Sequence, residues 1–266
     1  EVKAVRRFLS QFLNDKRVME IPWLLRKILV NLIIVPFRAP KSTKLYKKLW
    51  TAEGSPLLLN TEKFADRLRP VLGQNYRVFT AMRYGNPSLK NTLQQIRNQE
   101  FGRMIVFPMF PQYASSTTGT ILEFVRKEVQ KWKAVPDLHF VNQFYDHPGF
   151  SEAFSKNISA CHPEKFDHII FSYHGLPLRQ VDKVHPGISS AECSCDKQMQ
   201  AHGELCYKAA CYETTRLLAG KLGLKEARYS IGFQSRFSKN WLSPFTDELI
   251  KRLAGEGVKT ILVTVP

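Results

Sequence analysis

Acidic residues are in short supply in this chain. Against 39 Lys+Arg stand only 23 Asp+Glu, a formal net charge of +16, so an anionic partner is favoured. Cysteine is sparse too, five in 266 residues. That is too few for a disulfide scaffold, and the odd count argues against a fully paired secreted framework. No signal peptide is visible in this sequence, which starts at Glu1 rather than Met, and there is no low-complexity tract and no repeat of fixed period. The G-x-x-x-x-G-K-[ST] loop and the post-strand G-x-G-x-x-G are missing, so neither nucleoside triphosphates nor dinucleotides are indicated. The G-x-S-x-G elbow and the H-E-x-x-H pair are missing as well. Nucleic acid is disfavoured, because the aromatics do not interleave with the basic residues and no binding motif is present.

What is there reads as a folded globular protein, 44% hydrophobic and 12% aromatic, long enough for one large domain or two moderate ones. The chain starts at Glu1, and "VKTILVTVP" at the other end is a buried-type strand that stops where a helix should follow. Both ends are expected to continue in a longer protein. The positive charge is uneven: residues 1–50 hold twelve Lys/Arg and three acids, a net +9. Within them lies "IPWLLRKILVNLIIVPFRAPK", an apolar run broken by Arg26, Lys27 and Asn31, too short and too interrupted to span a membrane. Two readings stay open: an interfacial element on an anionic membrane or the lip of an apolar cleft, or a buried helix with a solvated charged face.

Strand-like and helix-like stretches alternate. Val5, Phe8, Leu9, Phe12 and Leu13 keep helical spacing. Strands are expected at 76–82, 103–110, 138–144, 168–173, 228–234 and 259–265, with amphipathic helices at 61–72, 88–99, 119–133, 150–160, 207–222 and 244–254. The alternation predicts an α/β protein of parallel sheets flanked by helices, in two halves, 1–135 and 136–266, dividing near Val135–Pro136. Ligands of such sheets collect beyond the carboxyl ends of the strands, where this chain places "RYGNP", "PQYASSTTG", "YDHPGF", "HGLP" and "SRFSKNW".

The sharpest local signal is "FSYHGLP". His174 directly follows a buried-type strand, and Gly175 and Pro177 force a turn, so the imidazole would sit on a stiff support where it can take a proton or bind a divalent metal. A second signal is C-x-C-x10-C-x4-C, formed by Cys193, Cys195, Cys206 and Cys211. Thiols gathered so closely in a protein without a disulfide framework point to metal: zinc in a tetrahedral structural site, or a two-iron cluster.

Together, "FSYHGLP", "PMFPQYASSTTG" and "GFQSRFSKNWLSPFTDELI" resemble the ferrochelatases, which insert ferrous iron into a porphyrin to make haem. Supporting matches run from "AVRRFLSQFLNDKRVMEIP" to "VKTILVTVP", so the resemblance covers essentially the whole chain. It implies two Rossmann-like halves with the porphyrin between them. It makes His174 the active-site histidine, as proton acceptor or ligand of the incoming Fe²⁺. It places Arg38 near the propionates and Arg83, Tyr84, Gln112, Tyr113 and Trp241 on porphyrin-pocket motifs, with the apolar segment Trp23–Phe37 gripping the ring. A second catalytic residue of the family, a glutamate on the helix after "TVP", falls beyond Pro266. Some members carry a 2Fe–2S cluster on an internal segment, which tips the four cysteines toward 2Fe–2S over zinc, as an accessory centre. Cys161 is the spare and an alternative to Cys211. The resemblance further implies a cytoplasmic protein, peripheral on the inner membrane, with a homodimer left open. Alternatives are a cobalt or nickel chelatase of the same fold, or a non-catalytic haem- or porphyrin-binding redox sensor.

Overall fold

The computed structural model describes residues 2–99, 101–185 and 187–266. The chain forms two compact units, Glu1–Val106 with Gly119–Phe140, and Phe107–Thr118 with Val141–Pro266. The division expected at Val135–Pro136 falls inside the first unit. Among the described residues no helix is long and apolar enough to cross a membrane.

The first unit begins with α1 (Val2–Leu13), α2 (Trp23–Ile28), a π-helical segment (Leu29–Ile34) and α3 (Val35–Leu49), followed by α4 (Pro56–Leu72) and α5 (Leu89–Arg97). The helical spacing read near the start is the packing face of α1: Leu9 and Leu13 are buried with Val30, Val35 and Ala39, and Val5, Phe8 and Phe12 lean on them. Then come β1 (Arg103–Val106), α6 (Thr120–Val129) and β2 (Asp137–Phe140); β1 and β2 pair in parallel from Arg103↔Asp137 to Val106↔Phe140. A crossover helix between parallel strands is the connection such pairs require. Leu93, Met104, Val125 and Val129 form the core of this layer.

One expected strand does not form. Residues 76–82 make a single bridge, Met82↔Ser88, and no ladder. An extended stretch becomes a strand only where a neighbour takes up its backbone groups, and none lies beside it among the described residues. The strand expected at 168–173 forms in full and gains His174, while the other expected strands form but are shorter than their apolar runs, because pairing ends before hydrophobicity does.

The second unit carries α7 (Pro148–Ser159), β3 (His168–His174), α8 (Leu178–Asp182), α9 (Tyr207–Lys221), β4 (Tyr229–Gln234), α10 (Thr246–Gly255) and β5 (Ile261–Thr264). The sheet order is β4-β3-β5, all parallel. The central strand β3 is buried from His168 through Tyr173, the near-continuous apolar run expected where helices cover both faces. Ile169, Phe171 and Tyr173 join a core that includes Ala209 and Leu218 of α9. The alternate residue Ile170 packs with Leu249 and Leu253 of α10, and Ser172 Oγ meets Thr246 Oγ1 at 2.9 Å. The fold is therefore the α/β arrangement of parallel sheets flanked by helices that the sequence predicts.

Candidate active site and metal centre

The alternation of β3 ends at its carboxyl terminus, where His174 breaks the run of buried residues and is exposed. Three contacts fix it. Gly175 N–H donates to the Gln234 carbonyl at 2.7 Å. The Tyr207 hydroxyl donates to the His174 carbonyl at 3.0 Å. Beyond the turn, Pro177 bridges Trp241, with Leu178 N–H on the Asn240 carbonyl at 3.0 Å and Leu242 N–H on the Leu176 carbonyl at 2.9 Å. "HGLP" and "KNWLSP", read as separate motifs, are thus stitched together. Although part of its surface is open, crowding desolvates the imidazole and lowers its pKa from the usual 6.5. The ring is therefore neutral at pH 7, with a lone pair available for a proton or a metal.

Gly175 is required by space. A Cβ there would sit 2.9 Å from the Gln234 carbonyl oxygen and 3.4 Å from the Trp241 ring. Gly175→Ala is expected to destabilise the second unit by about 1–3 kcal/mol through overpacking. By displacing His174 it should lower kcat about 100-fold at nearly unchanged KM. Steady-state kinetics beside a denaturant melt check this; an unaltered kcat would show that the turn does not hold the histidine.

The remaining motif residues occupy both units. In the second, Gln112 is buried and its Nε2 donates to Thr214 Oγ1 at 3.0 Å, while Tyr113 and Trp241 are half-buried. In the first, Arg83 Nη2 donates to Asp15 Oδ2 at 2.7 Å and its Nε to Thr120 Oγ1 at 3.0 Å. The Tyr84 hydroxyl donates to the same Asp15 oxygen at 2.9 Å. The polar groups of Gln112, Arg83 and Tyr84 are thus engaged inside the protein. Asp15, which the sequence reading did not single out, is the hub of this network. Burial pushes its pKa up, but hydrogen bonds from Thr120, the Arg17 backbone and Tyr84, with the Arg83 charge, bring the net shift below the usual value.

The two open readings of the Trp23–Phe37 segment are decided by which side chains are inside. Arg26 is buried, its Nη1 donating to the Met19 and Ile21 carbonyls at 3.1 and 3.0 Å. Asn31 Oδ1 accepts from Ser10 Oγ at 2.7 Å and from Asn14 Nδ2 at 3.1 Å. Outside are Trp23 (65% exposed), Leu24, Leu25, Ile28, Leu32 (69%), Ile33 and Phe37 (74%). Of the three polar interruptions Arg26 and Asn31 face in and Lys27 faces out; Val30 and Val35 pack inward, but most of the large apolar side chains face out, which a helix with only a solvated charged face would not show. A contiguous apolar surface of this kind marks a site of interaction, and the π-helical turn within it is a feature often found at functional sites. Arg38 is exposed on α3 beside this surface.

The cysteines separate. Cys193, Cys195, Cys206 and Cys211 are all buried, and Cys161 is exposed. Two histidines that the sequence reading passed over complete the group: the ligand atoms of His185, Cys193, Cys195 and His202 all lie within 4.8 Å of one another. Cys195 Sγ is 3.4 Å from His202 Nε2 and 3.8 Å from His185 Nε2. Cys206 Sγ, which caps α9 by accepting from Ala209 N–H, is 3.4 Å from His185 Nε2. Cys211 is outside the group, in the core next to Tyr207 and Tyr173. Burial raises the Cys195 thiol to about 12. A four-thiolate 2Fe–2S cluster fits this arrangement poorly, because the fourth thiol is committed to packing while two imidazoles face the others. The missed signal was histidine inside a cysteine-rich segment, a common composition of zinc sites.

Comparison with known proteins bears on the site as a whole. The family model described as Ferrochelatase matches residues 1–266. A protein named Ferrochelatase from Coxiella burnetii (strain Dugway 5J108-111) is 38% identical over 273 residues, covering 100% of this chain and 75% of that protein. One of the same name from Legionella pneumophila subsp. pneumophila (strain Philadelphia 1) is 35% identical over 270 residues, covering 100% of this chain and 79% of that protein.

Proposed function

The chain belongs to the ferrochelatase family, porphyrin metal chelatases that make haem by metal insertion, and from that premise we propose that His174 is its catalytic group, acting on Fe²⁺ and protoporphyrin IX or a related porphyrin. The observation that carries this reading is a neutral, partly desolvated imidazole at the carboxyl end of the central strand, anchored on both sides of its turn.

The chemistry sets the requirements. A free-base porphyrin carries two protons on its inner nitrogens in a stiff, flat ring. Insertion exchanges those two protons for one Fe²⁺, so the nitrogen lone pairs must be turned out of the plane, the protons taken away and the metal partly stripped of water. Binding energy from the large apolar ring can support such distortion. His174 accepts a pyrrole proton or ligates the arriving iron; one imidazole cannot do both at once, since the protonated ring has no free lone pair. The outward hydrocarbon of Trp23–Phe37 matches a ring face, and the exposed guanidinium of Arg38 matches a propionate carboxylate. Tyr113 and Trp241 are proposed ring contacts, while Gln112, Arg83 and Tyr84, which fall on the same family motifs, have their polar groups engaged in hydrogen bonds within their own units. Nothing in metal insertion transfers electrons, so no step runs through the cysteine segment. The apolar surface with Lys27, Arg38 and Lys41 beside it also suits an anionic membrane surface.

Replacing Leu32 and Phe37 together by Ser tests the grip. Both are exposed, so stability should change by less than about 0.5 kcal/mol per site, while porphyrin affinity falls about tenfold or more from lost apolar contact. Fluorescence titration with the porphyrin, beside co-sedimentation with anionic vesicles, tells ring contact from membrane contact. Unchanged affinity in both assays would refute a role for this surface. Assaying Fe²⁺, Co²⁺ and Ni²⁺ side by side separates an iron chelatase from a cobalt or nickel one.

A further inference from the structure

Between the end of α8 at Asp182 and the short 3₁₀ turn Ala201–Leu205, the chain runs through residues 183–200 without a helix or strand among those described. Segments of that length inside a compact unit are uncommon unless something organises them. Polar contacts hold this one from its flanks. Ser190 N–H donates to Asp182 Oδ1 at 2.7 Å, Lys208 Nζ of α9 donates to the Ser190 carbonyl at 2.9 Å, and Arg216 Nη1 of α9 donates to the Asp196 carbonyl at 3.1 Å. What it encloses is not a hydrocarbon plug but donor atoms: His185, Cys193, Cys195 and Cys206 are buried, with His202 half-buried beside them.

The spacing of those donors is informative. A tetrahedral ion bound at about 2.3 Å to sulfur and about 2.0–2.1 Å to nitrogen sets neighbouring donors roughly 3.3–3.8 Å apart. The sulfur–nitrogen separations from Cys195 to the two imidazoles are 3.4 and 3.8 Å, and Cys206 Sγ, outside the group of four, stands 3.4 Å from His185 Nε2. Both imidazoles turn the same nitrogen, Nε2, to the sulfurs. The other ring nitrogen of His185, Nδ1, is buried without a hydrogen-bond partner among the described residues, which leaves Nε2 as the nitrogen engaged with sulfur. A two-iron cluster places its ligands in pairs across two metals, so donors on opposite irons must be further apart than two bonds to one ion allow. The group contains no carboxylate, which disfavours the hard, oxygen-seeking cations.

We infer that His185, Cys193, Cys195 and His202 hold one divalent ion of the zinc class, a structural centre that ties residues 183–206 to the head of α9. Cys206 supports it by capping α9 and contacting His185, and Cys211 has no part in it. The centre is separate from the porphyrin chemistry, so its failure leaves the role of His174 untouched.

The experiment is metal analysis of the full chain in a His174→Ala background, which removes the proposed substrate-iron ligand from the count. Protein purified anaerobically from cells supplied with both iron and zinc is expected to hold about one zinc per chain and no acid-labile sulfide. Exchange into Co²⁺ is expected to give the visible bands of tetrahedral cobalt thiolate. His202→Ala, at a half-exposed position that leaves the core intact, should weaken zinc binding about tenfold or more and remove the cobalt bands, whereas Cys211→Ala should keep both. Iron and sulfide in equal amounts, lost in Cys211→Ala and kept in His202→Ala, would overturn the inference in favour of a four-thiolate cluster. Protein that binds neither zinc nor cobalt, with a thermal melt indifferent to added Zn²⁺, would overturn it as well.

Discussion

His174→Ala is expected to lower porphyrin metallation by roughly 10²–10⁴-fold, the contribution of a positioned proton-transfer group, with the second unit still folded. The side chain is exposed at the end of β3, while the six residues before it carry the packing, so its removal takes away chemistry and little core. Run anaerobically with Fe²⁺, the assay reads loss of the free-base porphyrin's fluorescence. The pH profile adds a second check. Because desolvation lowers the imidazole pKa, the neutral ring persists as pH falls through 6.5, and kcat/KM should decline only below that value. An acid limb centred above pH 7, or normal turnover in the alanine variant, would refute the assignment.

Asp15→Ala should have its main effect on stability. The Asp15 side chain is only 7% exposed and receives Arg83, Tyr84, Thr120 and the Arg17 backbone N–H. Removing it strands a guanidinium, a phenol and a hydroxyl that were satisfied together, so a loss of about 3 kcal/mol is expected in the first unit. Asp15→Asn, which keeps an acceptor and drops the charge, should cost less, about 1–2 kcal/mol. The sign of the pH dependence follows from the net shift. A carboxyl held below its usual pKa adds stability that is full above about pH 4 and is lost as pH falls through the folded value. Wild-type protein should therefore weaken more steeply in acid below about pH 4 than Asp15→Ala. Denaturant unfolding at several pH values reads both effects. Parallel acid slopes in the two proteins, or a variant as stable as wild type, would remove Asp15 from its place as hub.

Much of the fold was legible because its elements announce themselves locally. The run "HIIFSY" could be buried on both faces only inside a covered sheet, and it became the central strand β3 with His174 at its exposed end. The face of α1 was equally plain in its spacing. Residues 76–82 show the limit: their composition is that of a strand, but a ladder needs a neighbour, which composition does not describe. The segment from Trp23 to Phe37 shows another, since periodicity says that polar and apolar residues alternate around a helix but not which side meets the protein. Arg26 and Asn31 settled that by finding carbonyl and side-chain partners within.

The sequence by itself determined the α/β class, the candidate histidine after its strand, and a metal-type thiol segment, since each depends on residues adjacent along the chain. Only the tertiary structure decided that Asp15 gathers Arg83, Tyr84 and Thr120, that Tyr207 and Gln234 fix the His174 turn, and that the donor atoms of His185 and His202 lie together with those of Cys193 and Cys195, with Cys206 and Cys211 outside that group. Those outcomes depend on which distant donors and acceptors can satisfy one another once buried. Linear spacing carries no record of that.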